Sequence, residues 1–192
     1  MISVFKNFFN KPDALKTEHA NTFIDSIISH IKNDEELETE LAFDVASRIY
    51  SNKHVKDLLK HAYHDKCAFC EQKIETAIEH FRPKTKYPWL AVEWSNLLPV
   101  CSKCDGHRRG KFEIRGIDVT VENLSNDPMI LNADSDILVD EDTLLIHPEV
   151  DSPENHIFFD FSGNAVGRTE KGRYTIDVFR LNRDELLIKR KK

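Results

Sequence analysis

Two Cys-x-x-Cys pairs constrain this chain more than any other feature of its sequence. The pairs are Cys67/Cys70 and Cys101/Cys104, and they contain all four cysteines of the 192 residues. Four thiolates with this spacing favour a tetrahedral zinc ion, because the two-residue gap allows each pair to form a metal-binding turn. A zinc ion with four cysteine ligands has no open coordination position, so the predicted zinc is structural. The alternative is a set of four buried, reduced thiols.

A Glu-His dipeptide, Glu79-His80, lies between the two cysteine pairs. It is predicted at the end of a short strand, before a turn that Pro83 stops. A neutral imidazole suits a general base that activates water near pH 7, and a carboxylate oxygen suits Mg²⁺. A surface histidine with no catalytic role is the default interpretation of such a pair. Its position between the cysteines favours a functional site.

Asp105 directly follows the last cysteine. A helix is predicted from near Cys101 to Gly110, which is a natural helix C-terminus. Asp105 then lies in the first turns of this helix, where its carboxylate could face Glu79 and share a metal ion. The alternative is an aspartate that only complements the helix dipole.

The charge of the chain is distributed unevenly. The net charge is −6 overall, but residues 66–115 carry +4, residues 1–65 carry −3 and residues 116–192 carry −7. A locally basic segment inside an acidic protein is expected where one face contacts nucleic acid, with chance clustering as the alternative. Six cations of this segment are candidates for contacts with phosphate, and for each a solvated charge is the alternative: Arg82, Lys84, Lys103, Arg108, Arg109 and Lys111.

Apolar periodicity predicts three helices in the first third of the chain. The first covers residues 12–32, the second begins after Asn33 or Asp34, and the third carries Val55 and Leu59. The buried stripe expected for the second helix is Leu37, Leu41, Val45 and Ile49. No chemistry is assigned to these helices, although His61 and His64 lie near enough to the first cysteine pair to be spare zinc ligands.

The last third of the chain is predicted to mix strands and helices. Residues 112–135 are expected to form loops with short strands. Three β-like runs are expected at residues 137–139, 144–146 and 157–161, with a turn at Gly163-Asn164. A helix is expected from about Thr169, and Asn182 is expected to cap the last helix.

These observations predict one α+β domain over residues 1–192. It comprises a helical platform (1–65), a zinc-stapled core (66–115) and an α/β extension (116–192). The sequence has no apolar run of about 20 residues and no signal-peptide pattern, so we expect a cytoplasmic protein with no membrane partner. A reducing compartment also favours metal binding by the cysteines over disulfides.

The order Cys-x-x-Cys, Glu-His, Asn, Cys-x-x-Cys-Asp resembles the HNH (ββα-metal) endonuclease superfamily with a four-cysteine zinc. The string CAFCE…IEHFRPK…YPWL…EWSNLLPVCSKC is similar to an HNH subfamily of bacterial anti-phage systems, the Septu-type and retron-associated nucleases. The segment LLIHPEVDSPENHIFFDFSGNAVG…YTIDVFRLNRDEL is also similar to that subfamily. The resemblance covers roughly residues 65–190.

The resemblance implies a ββα-metal core and a role for each motif residue. The four cysteines would hold the structural zinc, and His80 would be the general base. Glu79 and Asp105 would bind a catalytic Mg²⁺ or Mn²⁺, and Asn96 would brace the loop and help to orient the base. Asp105 departs from the usual Asn or His at its position, so His107 is the reserve candidate.

The implied activity is hydrolysis of nucleic-acid phosphodiester bonds, with DNA as the expected substrate. By resemblance, such nucleases act beside an ABC-type or SMC-like ATPase. Two other functions fit parts of the sequence. A zinc-containing nucleic-acid-binding module would need the cysteines and the basic segment, but not Glu79, His80 and Asp105. An ATPase-docking subunit would use the acidic flanks.

Overall fold

The computed structural model describes residues 1–33, 35, 39–74, 77–123 and 131–191. Three helices come first: α1 (Glu18–Lys32), α2 (Thr39–Tyr50) and α3 (Lys53–Ala62). A separate 3₁₀ turn, Asp13–Leu15, precedes α1. The two are distinct because the Thr17 hydroxyl accepts a hydrogen bond from the backbone of Ala20 at 3.1 Å and so caps α1.

Helix α2 is rotated relative to the expected stripe. Leu41 is 59% exposed, so its prediction as a core residue is wrong. Ile49 is buried as expected and Val45 is half-buried, and the other buried positions are Ala42, Ala46 and Tyr50, three or four residues apart on one face of the helix. Leu37, the first expected member of the stripe, lies outside the described residues.

Two strands and a helix form the centre of the molecule. Strand β1 (Ala77–His80) pairs antiparallel with β2 (Leu97–Val100), so that Glu79 lies opposite Leu98 and His80 opposite Leu97. Helix α4 (Ser102–Arg108) follows at once and packs on β1. It ends where Arg109 and Gly110 adopt left-handed backbone conformations, with φ of 46° and 74°. The predicted strand end and the predicted helix after Cys101 are both confirmed.

The β1–β2 hairpin separates two hydrophobic clusters. Leu97 packs with the three N-terminal helices, whereas Leu98 and Val100 pack with the cysteine loops and the C-terminal elements. Successive side chains of a strand point to opposite faces, so both faces of β2 are buried, whereas in β1 only His80 is buried and Ala77, Ile78 and Glu79 are half-buried. The same alternation sends Glu79 and His80 to opposite faces of β1.

The C-terminal part contains four short helices and a second hairpin. Helices α5 (Asp136–Val139) and α6 (Pro153–His156) precede strands β3 (Ile157–Phe159) and β4 (Ala165–Gly167). Helices α7 (Glu170–Val178) and α8 (Asp184–Arg190) follow. Strands β3 and β4 pair antiparallel, and Gly163 (φ 80°) lies in the turn between them, as predicted.

Three local predictions in this region are wrong. Residues 137–139 are helical, because the Ser135 carbonyl accepts hydrogen bonds from Leu138 and Val139 and closes a helical turn. Residues 144–146 form no strand. Asn182 does not cap α8, since its side-chain amide bonds the backbone N–H and C=O of Ala165.

No helix among the described residues is long and apolar enough to cross a bilayer.

Candidate zinc centre and catalytic loop

The four cysteines meet in one cluster, at which two turns converge. Their Sγ atoms all lie within 4.8 Å of one another, and the Sγ atoms of Cys70 and Cys101 are 3.6 Å apart. The backbone N–H of Ala68 donates to the Pro99 carbonyl at 2.9 Å, which ties the first turn to β2. The second pair begins directly after β2 and enters α4.

This geometry fits a zinc ion. Ligands at about 2.3 Å from zinc in a tetrahedron lie about 3.8 Å from each other, close to the observed separation of Cys70 and Cys101. Hydrogen bonds from Cys104, then from Cys67 and Cys70, lower the pKa of the Cys101 thiol, whereas hydrogen bonds with Cys101 raise the pKa of the Cys67 and Cys104 thiols. The four thiols therefore share their protons as one coupled group. His61 and His64 are exposed and lie outside the cluster, so neither is a spare ligand.

Glu79 is half-buried on the face of β1 that packs against α4. Its Oε1 accepts a hydrogen bond from Arg108 Nη1 at 2.5 Å. Arg108 is fully buried and also donates to the carbonyls of His80 and Phe81. Burial raises the pKa of Glu79, the Arg108 charge opposes that rise, and the neighbouring Asp105 adds to it. Arg108 therefore fixes both the end of β1 and the orientation of the Glu79 carboxylate.

Asp105 is exposed in the first turn of α4, near enough to Glu79 for its charge to raise the pKa of the Glu79 carboxyl. Two neighbouring carboxylates repel each other, and a bound divalent cation relieves that repulsion. His107, the reserve candidate, lies among positive charges. Burial and the charges of Arg180 and Arg183 lower its pKa. Asp105 therefore interacts with Glu79, whereas the charged neighbours of His107 are Arg180, Arg183, Glu185 and Arg109.

His80 is buried, with 5% of its surface exposed. Its Nε2 lies 2.8 Å from the carbonyl oxygen of Ala91, so Nε2 carries the proton and Nδ1 is the basic nitrogen. Burial lowers the pKa of His80 to about 4; the bond to Ala91 opposes this, and the charges of Lys84 and Arg108 reinforce it. The imidazole is therefore neutral at pH 7.

Asn96 braces the loop that follows His80. Its Oδ1 accepts a hydrogen bond from the backbone N–H of Arg82 at 2.7 Å. Its Nδ2 donates to the carbonyls of Arg82 at 3.1 Å and Leu90 at 3.0 Å. The loop after β1 is thus fixed from both sides, and Asn96 touches it without approaching solvent.

Three of the six cations predicted to contact phosphate form ion pairs with carboxylates of the protein. Arg82 is buried and donates to Glu141 Oε2 and the Leu138 carbonyl, each at 2.6 Å. Arg108 is buried as described, which makes the phosphate-binding prediction wrong for these two arginines. Lys103 pairs with Glu185 at the surface. The remaining candidates are Lys84, Arg109 and Lys111.

Sequence reasoning missed two residues of this region, both on α2. The ring of Tyr50 contacts the ring of His80 edge-on, with 4.8 Å between centroids and an angle of 84°. Phe43 lies 4.8 Å from Lys84 Nζ. The seven-residue spacing of Phe43 and Tyr50 indicates a shared helix face, but the same spacing is typical of core residues.

No family model matches the chain. It is 34% identical over 163 residues to the Septu protein PtuB of Bacillus mycoides (strain KBAB4), covering 74% of this chain and 52% of that protein. It is 28% identical over 165 residues to the Septu protein PtuB of Bacillus thuringiensis, covering 83% of this chain and 53% of that protein. It is also 31% identical over 149 residues to the Septu protein PtuA of the same B. mycoides strain, covering 69% of this chain and 20% of that protein.

The chain spans about half the length of the two PtuB proteins and about a fifth of the PtuA protein. The resemblance to Septu-type proteins that the motif string predicts is confirmed by these similarities. Together with the four-cysteine cluster, they establish that the chain is a homologue of the Septu protein PtuB.

Proposed function

We propose that this PtuB homologue is a metal-dependent HNH endonuclease that cleaves DNA as the nuclease component of a bacterial anti-phage system. The observation that carries the proposal is the β1–β2–α4 unit. Strand β1 ends in Glu79 and His80, directly before the loop that Asn96 fixes, and α4 packs on β1 with Asp105 near Glu79. The cysteine cluster fixes the start of α4 beside the hairpin.

His80 would act as the general base. The Ala91 carbonyl holds the proton on Nε2, so the Nδ1 lone pair is available to remove a proton from the attacking water. Because the pKa of His80 is about 4, the base is in its neutral form throughout the physiological range. Attack on phosphorus with loss of the 3′ oxygen would leave a 5′ phosphate and a 3′ hydroxyl.

Glu79 and Asp105 would hold the catalytic Mg²⁺ or Mn²⁺. Both are hard oxygen donors, and the repulsion between their neighbouring charges, which raises the pKa of Glu79, is relieved by a divalent cation. When bound, such an ion supplies positive charge to the phosphate oxygens during hydrolysis. Arg108 bonds Glu79 Oε1, which keeps the other carboxylate oxygen oriented without occupying it.

The proposed partner is an ABC-type or SMC-like ATPase homologous to PtuA, in the cytoplasm. The similarity to a fifth of a protein named PtuA supports this partnership, because a segment like this chain occurs within that protein. Co-expression of the chain with a PtuA homologue and affinity purification tests it. Recovery of the chain alone at physiological salt would contradict the partnership.

The test of the nuclease proposal is plasmid cleavage with Mg²⁺ or Mn²⁺ by the wild type and by His80→Ala, each with bound zinc and intact folding. We expect His80→Ala to lose about 10²- to 10⁴-fold in rate. His61→Ala, an exposed histidine at the end of α3, is the matched control and should cleave like the wild type. An RNA of the same sequence is assayed in parallel.

Equal cleavage by His80→Ala and the wild type would exclude His80 as the base. If the wild type is silent alone, the PtuA homologue is added. Binding of DNA without cleavage in that complete system would favour the non-catalytic zinc-containing module.

A further inference from the structure

Lys84 is held between two aromatic rings next to the proposed base. Its Nζ lies 4.8 Å from the ring centroid of Phe43 and 5.8 Å from that of Tyr50. It also donates to the Tyr50 hydroxyl at 3.4 Å. Tyr50 in turn packs edge-on against His80. The ammonium group, the two rings and the imidazole therefore form one contiguous cluster.

Helix α2 supplies both rings because of its periodicity. Phe43 and Tyr50 are seven residues, or about two turns, apart and share a face of the helix. Tyr50 is buried and Phe43 is half-buried, so the rings form a wall with one edge at the surface. Lys84 lies at that edge, in the loop that Asn96 holds through Arg82.

The charge of Lys84 is not neutralised by a neighbouring carboxylate. Among the residues that the structure describes, no Asp or Glu forms an ion pair with Lys84, whereas Arg82, Arg108 and Lys103 each have one. An ammonium group has three donors, and aromatic rings attract the cation without accepting strong hydrogen bonds. Lys84 thus keeps donors for an anion.

We propose that Lys84 binds a phosphate of the DNA backbone beside His80, and that Phe43 and Tyr50 of α2 are positioning residues that hold its ammonium group there. The inference rests on the proposed nuclease function and adds to it the group that binds the phosphate. It also assigns a role at the site to the N-terminal helices, which supply the wall on the His80 face of β1.

The cluster restricts where the cation can lie. A free lysine loses rotamer entropy when it binds phosphate, and two rings that already confine the stem and head reduce that loss. The phosphate would then be bound by Lys84 at the surface edge of the wall that Phe43 and Tyr50 form. A phosphate contact of this kind gives affinity and position but no base specificity.

The experiment measures binding of a DNA oligonucleotide duplex as a function of salt, together with kcat and KM for cleavage. Binding is measured without divalent cations, so that no cleavage occurs. Lys84→Gln should weaken binding about tenfold and lower the slope of log K against log salt by about one. Lys84→Arg keeps the charge and should retain the slope.

Lys86→Gln is the matched control on the same loop, because Lys86 is exposed and pairs with Asp118 at 2.9 Å. It should leave both affinity and slope unchanged. Tyr50→Phe keeps the ring and removes the hydroxyl, and Phe43→Leu removes a ring. Each should weaken binding about two- to fivefold with an unaltered melting temperature for Tyr50→Phe.

Equal salt slopes for the wild type and Lys84→Gln would overturn the phosphate contact, even if His80→Ala abolishes cleavage and so supports the nuclease proposal. Equal losses for Lys84→Gln and Lys86→Gln would overturn the assignment to the cluster. A wild-type protein that neither binds nor cleaves DNA, with or without its partner, would overturn both proposals.

Discussion

At the scale of single residues, burial and hydrogen bonds separate two histidines that look alike in the sequence. His80 and His147 are both buried. Both ring nitrogens of His147 are engaged, Nε2 with the Ser95 carbonyl at 3.3 Å and Nδ1 with the backbone N–H of Glu149 at 3.2 Å. His80 uses only Nε2 in this way, which is why His80 alone of the two fits a base.

The buried His147 is expected to make the folded protein less stable at acid pH. Burial lowers its pKa well below the usual value, and the charges of Arg82, Lys6 and Lys171 add to this. Because the unfolded state takes up a proton that the folded state excludes, stability falls as the pH decreases below about 6.5. The slope is about 1.4 kcal/mol per pH unit.

Urea unfolding of wild type and His147→Gln between pH 5 and 7.5 measures this slope. The slope of the free energy of unfolding against pH should be smaller in His147→Gln by about the amount that one proton contributes. His80 contributes equally to both proteins. The acidic neighbours, Asp151 at the His147 backbone and Glu149, are also common to both. If the free energies of unfolding of the two proteins fell in parallel with decreasing pH, His147 would be protonated in the folded state as it is in the unfolded state.

Two ion pairs, one buried and one at the surface, are expected to contribute very differently to the free energy of unfolding. Arg82 pairs with Glu141 in the interior, whereas Arg115 pairs with Asp142 at the surface. Arg82→Met leaves a buried carboxylate without its partner and should lower the free energy of unfolding by about 3–5 kcal/mol. Arg115→Met should cost much less, because solvent and salt screen an exposed ion pair. Chemical denaturation of both variants checks this, and equal losses would contradict it.

At the scale of elements, the sequence predicts what is local. The strand before Pro83, the helix after Cys101 and the hairpin turn at Gly163 follow from short-range signals, and the structure has all three. The rotation of α2 is not a local property. It depends on contacts of Phe43 and Tyr50 with Lys84 and His80 from a distant loop, and hydrophobicity alone could not distinguish that face from the Leu41 face.

Close packing of α7 depends on a glycine. A Cβ at Gly172 would lie 2.0 Å from the carbonyl oxygen of His156, a backbone atom at the end of α6. Gly172→Ala must therefore displace one element and should destabilise by about 1–3 kcal/mol. Gly106, inside α4, has nothing within 4 Å of such a Cβ.

Gly106→Ala is the matched control for this prediction. It should stabilise the protein by about 0.4–1 kcal/mol through helix propensity and the entropy of the unfolded chain. Thermal and urea unfolding of the two variants gives both values. A Gly172→Ala variant as stable as Gly106→Ala would mean that α6 and α7 separate readily.

At the scale of the whole molecule, long-range polar contacts join segments that the sequence leaves unconnected. Lys6 is buried, its Nζ donates to the carbonyls of Trp94 and Leu97 at 2.8 Å each, and it pairs with Glu149 at 3.0 Å. Arg82 and Glu141 likewise join the β1 loop to the C-terminal part. A lysine or an arginine in a sequence is read as a surface cation, so these partners could not be predicted.

The cysteine cluster is the point at which these segments would depend on one bound zinc ion. It belongs to the cluster of buried residues that includes β2, α7 and α8, and it fixes both the loop after α3 and the start of α4. Zinc binding to four cysteines contributes about 10–16 kcal/mol, comparable with the whole stability of a typical domain. Loss of the ion should therefore unfold this half of the molecule and not merely loosen a loop.

Zinc analysis and thermal unfolding test this dependence. The purified protein should contain one zinc ion per chain, and a strong chelator should release it together with a loss of ordered structure. Cys101→Ser, at the half-exposed ligand, should lose zinc and melt far below the wild type, whereas Ser102→Ala, at its exposed neighbour, should do neither. A zinc-free Cys101→Ser protein with wild-type stability would show that the four thiols pack as an apolar cluster, and the structural zinc would have to be abandoned.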